Sequence, residues 1–376
     1  MSTPAPPGSA NEQVSAREKH VCPACGAQAE WNPAKQLLVC PFCGTESPYD
    51  AHKAGGAVEE LDLVQMLRSL PDASKGWDTA RRSVQCQSCK AVMVFDPAKV
   101  GRNCEFCGSP ALLDYDDVQA PIRPQSLLPF TVSQSDVRDR MKRWYASKWF
   151  APNAFKKKAL IDQLHGLYIP YWTFDARAHC TWTADAGHYY YTTESYRDSQ
   201  GRTQTRQVRH TRWVPAAGEL DHAFDDEPVP GTTGIEHRLL RGVEPFPTQQ
   251  VVPYDTAFLS GFVVERYQID LEQAASTSLQ QMHSQLESLC GHQVPGDTFR
   301  NLQIHPAYSN QTFKHTLVPV WLLTYTFGAR TFQVVANGHT GAIAGDYPKS
   351  FWKIAFVVLA VLVVLVLFAA IQSSTQ

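Results

Sequence analysis

The sequence lacks the short signatures by which nucleotide-hydrolysing and hydrolytic enzymes are recognised. It contains no Gly-x-x-x-x-Gly-Lys-Ser/Thr loop to hold a nucleotide phosphate, so helicase or ATPase chemistry has no visible seat. Neither a Gly-x-Ser-x-Gly elbow nor a His-Glu-x-x-His helix occurs. The 13 histidines are scattered without metal-ligand spacing. The N-terminus has no apolar core of a secretion signal: residues 1–20 are polar and rich in proline, and read as a disordered tail. No charge of one sign prevails either, the formal net charge being -2. These absences argue against an enzyme and against an exported, disulfide-stapled protein, and no catalytic or cofactor-binding residue is assigned.

What the chain does have is one four-cysteine pattern, written twice. Cys22-Pro-Ala-Cys25, fourteen residues and Cys40-Pro-Phe-Cys43-Gly44 recur as Cys86-Gln-Ser-Cys89, fourteen residues and Cys104-Glu-Phe-Cys107-Gly108. Asn32-Pro33-Ala34-Lys35 answers Asp96-Pro97-Ala98-Lys99, and Trp31 answers Phe95. Two cysteines separated by two residues turn both sulfurs to one point, and the following glycine permits the tight knuckle, so two knuckles make a closed tetrahedral site of four thiolates. The expected reading is two zinc ribbons of rubredoxin-like form, each with one structural zinc ion. Cys22, Cys25, Cys40 and Cys43 hold the first ion, and Cys86, Cys89, Cys104 and Cys107 the second. Iron suits the same thiolates. Four disulfides would require an oxidising compartment, and a redox Cys-x-x-Cys normally stands without a second knuckle.

At the other end, Ile354 to Ile371 carries no polar side chain. Such a run predicts a transmembrane helix over 352–371, with Lys349 and Lys353 on its near side and Phe351 and Trp352 at headgroup level. That assigns the protein to the cytoplasmic (inner) membrane as a tail-anchored, single-pass protein with its N-terminal bulk in the cytoplasm.

Between these ends the expected organisation is ribbon 1 over 21–50, a linker with a short helix over 51–83, ribbon 2 over 84–115, and an α+β domain with an antiparallel sheet over 125–348. Leu61, Val64 and Leu67 place the linker helix around Val58 to Leu70, before Pro71. Ser133 and Asp136 resemble a capping box ahead of a helix with Val137, Met141, Trp144 and Tyr145 on one face. Its basic companions, with Lys156, Lys157 and Lys158, fit either a helix packed on its own domain or contact with anionic lipid. From Leu167 the pattern is extended, with Cys180 on the apolar face of a half-buried strand. A β-ribbon follows from Tyr189 to Trp213, turning near Asp198-Ser-Gln-Gly201 and carrying Arg202, Arg206, Arg209 and Arg212. Glu219, Asp221, Asp225, Asp226 and Glu227 come soon after, and the sequence leaves open whether they neutralise those arginines. Asp270 caps a core helix that Gly291 is placed to end, and a meander runs over Leu317 to Phe327, Thr331 to Ala336 and His339 to Ala344.

Several segments taken together carry a resemblance. The two ribbons, Lys148-Trp-Phe-Ala-Pro152, Gly166-Leu-Tyr-Ile-Pro-Tyr-Trp-Thr-Phe-Asp175, Leu259-Ser-Gly-Phe262 with Glu265-Arg-Tyr267, and Val335-Ala-Asn-Gly338 resemble bacterial TFIIB-type zinc-ribbon membrane proteins, the YdjG-like group. Members sometimes bear primosomal or helicase-like labels, which the absent phosphate loop does not support. The resemblance implies a membrane-attached scaffold in membrane stress, with SPFH-domain or phage-shock-type proteins as partners, and supplies no catalytic residues.

The expected function is therefore a non-enzymatic membrane-anchored adapter whose ribbons dock a protein partner through side chains such as Phe42 and Phe106. Residues 1–120 hold 15 acidic against 11 basic side chains, which disfavours phosphate binding by the ribbons. The alternative is a membrane-tethered nucleic-acid-binding regulator that uses the ribbons or the Arg202 to Arg212 arm.

Overall fold

The computed structural model describes residues 20–47, 58–69, 82–87, 91–95, 104, 106, 112–114, 122–152, 164–197, 199, 201–327 and 330–374, with the side chains of the last helix described to Val366. The expected tail over 1–19, the loop Asp96 to Lys99, and Lys156, Lys157 and Lys158 lie outside the described residues.

Three unusually long strands form the frame: β9 (Leu164–Arg197), β10 (Thr203–Pro230) and β13 (Thr298–Phe327). β9 lies between the other two and is antiparallel to both. Its inner half, Leu167 to Phe174, is almost wholly buried; from Ala176 it alternates, with Ala176, Ala178, Cys180, Trp182 and Ala184 inside and Arg177, His179, Thr181 and Thr183 outside. Strands this long must bend to follow one body. Register shifts do this at Phe224/Glu227, Arg300/Gln303 and Ser309/Thr312, where Asp226, Asn301 and Asn310 take positive φ, a conformation Asn and Asp tolerate better than most residues.

Short strands extend the frame on both sides. The sequence order gives β1 (Glu30–Asn32), β2 (Leu37–Val39), β3 (Glu46–Ser47), β4 (Leu61–Asp62), β5 (Arg82–Cys86), β6 (Val92–Phe95), β7 (Leu112–Asp114), β8 (Ser126–Leu127), β11 (Val252–Pro253), β12 (Val263–Arg266), β14 (Arg330–Asn337) and β15 (Ile343–Gly345). β1, β2 and β3 make a small sheet of their own. All the others belong to one sheet, whose central path runs β11-β8-β13-β9-β12-β6-β5-β7.

The helices are α1 (Leu63–Ser69), α2 (Gln134–Ser147), α3 (His237–Arg241), α4 (Leu271–Gln293) and α5 (Phe351–Ser374). α1 starts later than its spacing suggests because Leu61 and Asp62 pair with β13, and Asp62 then accepts a hydrogen bond from the Gln65 amide. Ser133 caps α2, whose Val137, Met141 and Tyr145 are buried in the body, and Lys148 lies 4.4 Å over Trp144. That apolar face is consumed by packing. Asp270 caps α4, which lies on Trp172, Phe174, Ala178, Cys180 and Trp182. Gly291 does not end α4: the helix runs on to Gln293, and a Cβ at Gly291 would meet the Phe299 ring at 2.8 Å. Its role is close approach.

Two expectations about the fold class are corrected. The sheet is mixed, not antiparallel, since β12 runs parallel to β9 and β8 parallel to β13. The C-terminal anchor is also corrected: among the described residues no helix is long and apolar enough to cross a membrane. The transmembrane, tail-anchored and inner-membrane assignments, and the membrane as a partner, fall with it. The start of α5 is fastened to the body, with Lys353 donating to the carbonyls of Trp149 and Ala151 at 3.0 and 2.9 Å.

Candidate metal centre

The first ribbon is built from two matching knuckles. The Gly26 amide donates to the Cys22 carbonyl at 2.9 Å and the Gly44 amide to the Cys40 carbonyl at 3.0 Å; both glycines sit at φ near +70°, at 73° and 72°. The Cys22 and Cys40 amides reach five residues ahead, to the carbonyls of Ala27 and Thr45, and close each turn. The antiparallel hairpin of β1 and β2 then faces one knuckle to the other.

Four sulfurs meet as a result. The Sγ atoms of Cys22, Cys25, Cys40 and Cys43 all lie within 4.8 Å of one another, with 3.5 Å from Cys22 to Cys43 and from Cys25 to Cys40. A tetrahedron of thiolates about 2.3 Å from a central ion has edges of about 3.8 Å, inside that range. The donor set and its size therefore fit a metal ion, which these four cysteines can hold. Without a cation the sulfurs compete for protons. Cys43 is drawn down to about 6, first by the Thr45 hydroxyl 3.1 Å away and then by the Thr45 backbone. Against a lowering hydrogen bond from Ala27, the crowding sulfurs of Cys40 and Cys43 push Cys25 up to about 12. A cation between the four sulfurs would relieve that competition.

The ribbon does not stand apart from the body. Trp31, Ala29 and Leu38 are buried in the same apolar cluster as Phe130, Tyr168, Phe258 and Trp321. The Trp31 indole donates to the Phe130 carbonyl at 3.2 Å and packs tilted against Phe258 with ring centres 4.5 Å apart, while Gln36 donates to the same carbonyl at 2.9 Å. The Ser260 hydroxyl returns a hydrogen bond to the Ala29 carbonyl at 2.6 Å. Sequence reasoning missed this clamp. The available signal was a tryptophan in a module with no core of its own to hide it.

The second copy is built differently. Its strands β5, β6 and β7 lie in the large sheet, where β6 pairs with β12 through Val94↔Val264, Met93↔Glu265 and Val92↔Arg266. Cys86, Met93, Cys104 and Phe106 are buried among Leu167, Ile169, Tyr171, Leu239, Val320 and Leu322. The Cys86 amide still reaches the Ala91 carbonyl at 2.9 Å, which repeats the first turn of ribbon 1. Cys89 and Cys107 lie outside the described residues, and the cluster of Cys22, Cys25, Cys40 and Cys43 is the metal-ligand group found among the described residues.

The two candidate docking phenylalanines part company here. Phe42 is 82% exposed between Cys40 and Cys43, whereas Phe106 is fully buried and its carbonyl accepts from Thr324 at 2.6 Å and Gln333 at 2.9 Å. Phe106 is a core residue, and its expected display is corrected. Cys180 is likewise buried, with its Sγ 3.8 Å from that of Cys290 on α4.

Comparison with known proteins finds a relative in Bacillus subtilis (strain 168), described as "Uncharacterized protein YdjG". It is 24% identical over 241 residues, which cover 64% of this chain and 68% of the relative. That homology supports a YdjG-like grouping. No family model and no solved structure matches.

Proposed function

We propose that the chain is a non-catalytic adapter in which a zinc ion fixes the first ribbon so that its outer knuckle docks a protein partner. The observation that carries this reading is Phe42, an aromatic ring 82% exposed and held between two of four converging thiolates. A closed set of four thiolates leaves no open position for a reactive water, which suits structural zinc better than catalytic zinc. The clamp at Trp31 and Gln36 adds to this, because a ring presented by a fixed loop loses little freedom on binding. Aromatic rings of this kind are common anchors of protein interfaces.

Metal content and crosslinked co-purification of the full chain test the proposal together. Cys40→Ser is expected to lower the zinc bound per chain and to abolish partner capture, and Phe42→Ala to abolish capture with the zinc retained. Capture that survives Cys40→Ser, or metal that proves to be absent from the wild-type chain prepared under reducing conditions, overturns it.

A further inference from the structure

The long hairpin of β9 and β10 leaves the body. The two strands pair from Tyr171↔Pro230 out to Arg197↔Thr203, but β13 accompanies β9 only as far as Gly187↔Thr298. From His188 and Arg212 onward they continue as a two-stranded arm to the turn at Gly201, where φ is +78°. At about 3.3 Å per residue, Gly187 to Arg197 spans about 33 Å.

Register decides what each face of the arm shows. One face carries the cross-strand pairs Tyr189/Thr211, Tyr191/Arg209, Thr193/Gln207, Ser195/Thr205 and Arg197/Thr203, without a carboxylate. Tyr191 is 62% exposed, and the Arg209 guanidinium stands 4.3 Å over the Tyr189 ring. The opposite face carries Tyr190, Tyr196 and Arg206, with Glu194 held 3.2 Å from Arg206.

The acidic run that follows on β10 does not answer these arginines. Asp221 lies 2.8 Å from His179 and Asp226 meets Lys314 at 2.6 Å, both back at the body. Along an extended strand Glu219 is about 23 Å from Arg212, well beyond a Debye length of about 8 Å at physiological salt. Between Tyr189 and Trp213 the sequence sets five arginines against Glu194 and Asp198, so the far end of the arm is positive.

We propose that the arm binds single-stranded nucleic acid along its carboxylate-free face. Charge alone would suit any polyanion; the tyrosines narrow the choice. Tyr191 offers an exposed ring face on which an unpaired base stacks, and Tyr189, about 7 Å along the same strand, carries the Arg209 guanidinium on one face of its ring. Arg209, opposite Tyr191, and Arg197, about 20 Å further along the same face, supply the planar fork that matches phosphate. An acidic peptide would gain from the arginines but has no use for the row of rings, and a duplex keeps its bases stacked on one another.

Fluorescence anisotropy of the full chain with labelled oligothymidylate and oligouridylate tests this, the two arms separating DNA from RNA. Binding to at least one is expected, with affinity falling as salt rises from about 50 to about 200 mM and a logarithmic slope of about -2 to -3 for three or four phosphate contacts. Tyr191→Ala should weaken it about tenfold. Arg197→Glu with Arg209→Glu should weaken it at least about tenfold and flatten the slope. Thermal unfolding should stay unchanged in these variants, because the arm stands beyond the third strand. Cys40→Ser, which breaks the ribbon's proposed function, should leave oligonucleotide binding intact. The proposal is overturned by no binding, by binding indifferent to Tyr191→Ala, or by equal competition from polyglutamate, duplex DNA or phosphatidylglycerol vesicles.

Discussion

Phe42 and Phe106 hold the same place in two copies of one cysteine pattern, immediately before the last cysteine, and their environments are opposite: 82% exposed against fully buried. The cause lies in the strands around them. β6 reads Val-Met-Val-Phe after a buried Ala91, an unbroken apolar run that gains most where sheet covers both of its sides, and it joins β12. β2 reads Leu-Leu-Val after Lys35 and Gln36, buries Leu38 between half-buried neighbours, and stays in a three-stranded sheet. Cysteine spacing sets how a knuckle folds. The apolar strands beside it set whether the knuckle is surface or core.

That contrast can be broken at Phe106. Phe106→Ala is expected to cost about 3–5 kcal/mol in chemical denaturation of the whole sheet, while Phe42→Ala should change stability by less than about 0.5 kcal/mol. Equal costs would abolish the distinction between the two copies.

Acid separates the large sheet from ribbon 1 by different chemistry. His315 is fully buried, with its ring 4.7 Å from Trp172 and its Nδ1 3.0 Å from the Ile122 carbonyl, and burial holds it down to about 4. Its folded value lies below the unfolded one near 6.5, so the stability it contributes is whole above about pH 6.5 and is lost as pH falls toward 4, by at most about 3 kcal/mol. Denaturation midpoints across that window should show this slope, and His315→Phe should flatten it. In ribbon 1 acid acts by protonating thiolates, read as metal release without loss of the large sheet.

Smaller effects sharpen the comparison. Trp31→Phe removes the indole hydrogen bond to the Phe130 carbonyl, which Gln36 still serves, and should cost about 1 kcal/mol. Limited proteolysis should then release the segment around β1 and β2 sooner. Gly44→Ala, at φ +72°, strains the outer knuckle by a similar amount and should weaken metal retention while the sheet's denaturation midpoint is unmoved.

Local chemistry was legible where it is short-range. Ser133 and Asp270 cap their helices, Cys180 falls on the buried face, and the ribbon from Tyr189 turns near Gly201. The continuous course of β13 from Thr298 was not legible, because Asn301 and Asn310 interrupt the alternation exactly where the register shifts, and Gly291 gives the signal of a helix end while serving as a contact with Phe299. The apolar run near the C-terminus pointed to a membrane span that the described helix does not provide.

By itself the sequence determined the convergence of Cys22, Cys25, Cys40 and Cys43, since two knuckles and a hairpin bring the sulfurs together through bonds and turns a few residues long. Only the tertiary structure decided that one phenylalanine is displayed and its counterpart buried, and that Glu219 and Asp221 stay with the body while Arg206 and Arg209 go out with the arm. Those outcomes depend on pairings such as β6 with β12 and β9 with β13, between segments more than a hundred residues apart. No local pattern fixes such pairings, because their free energy comes from burying many side chains at once.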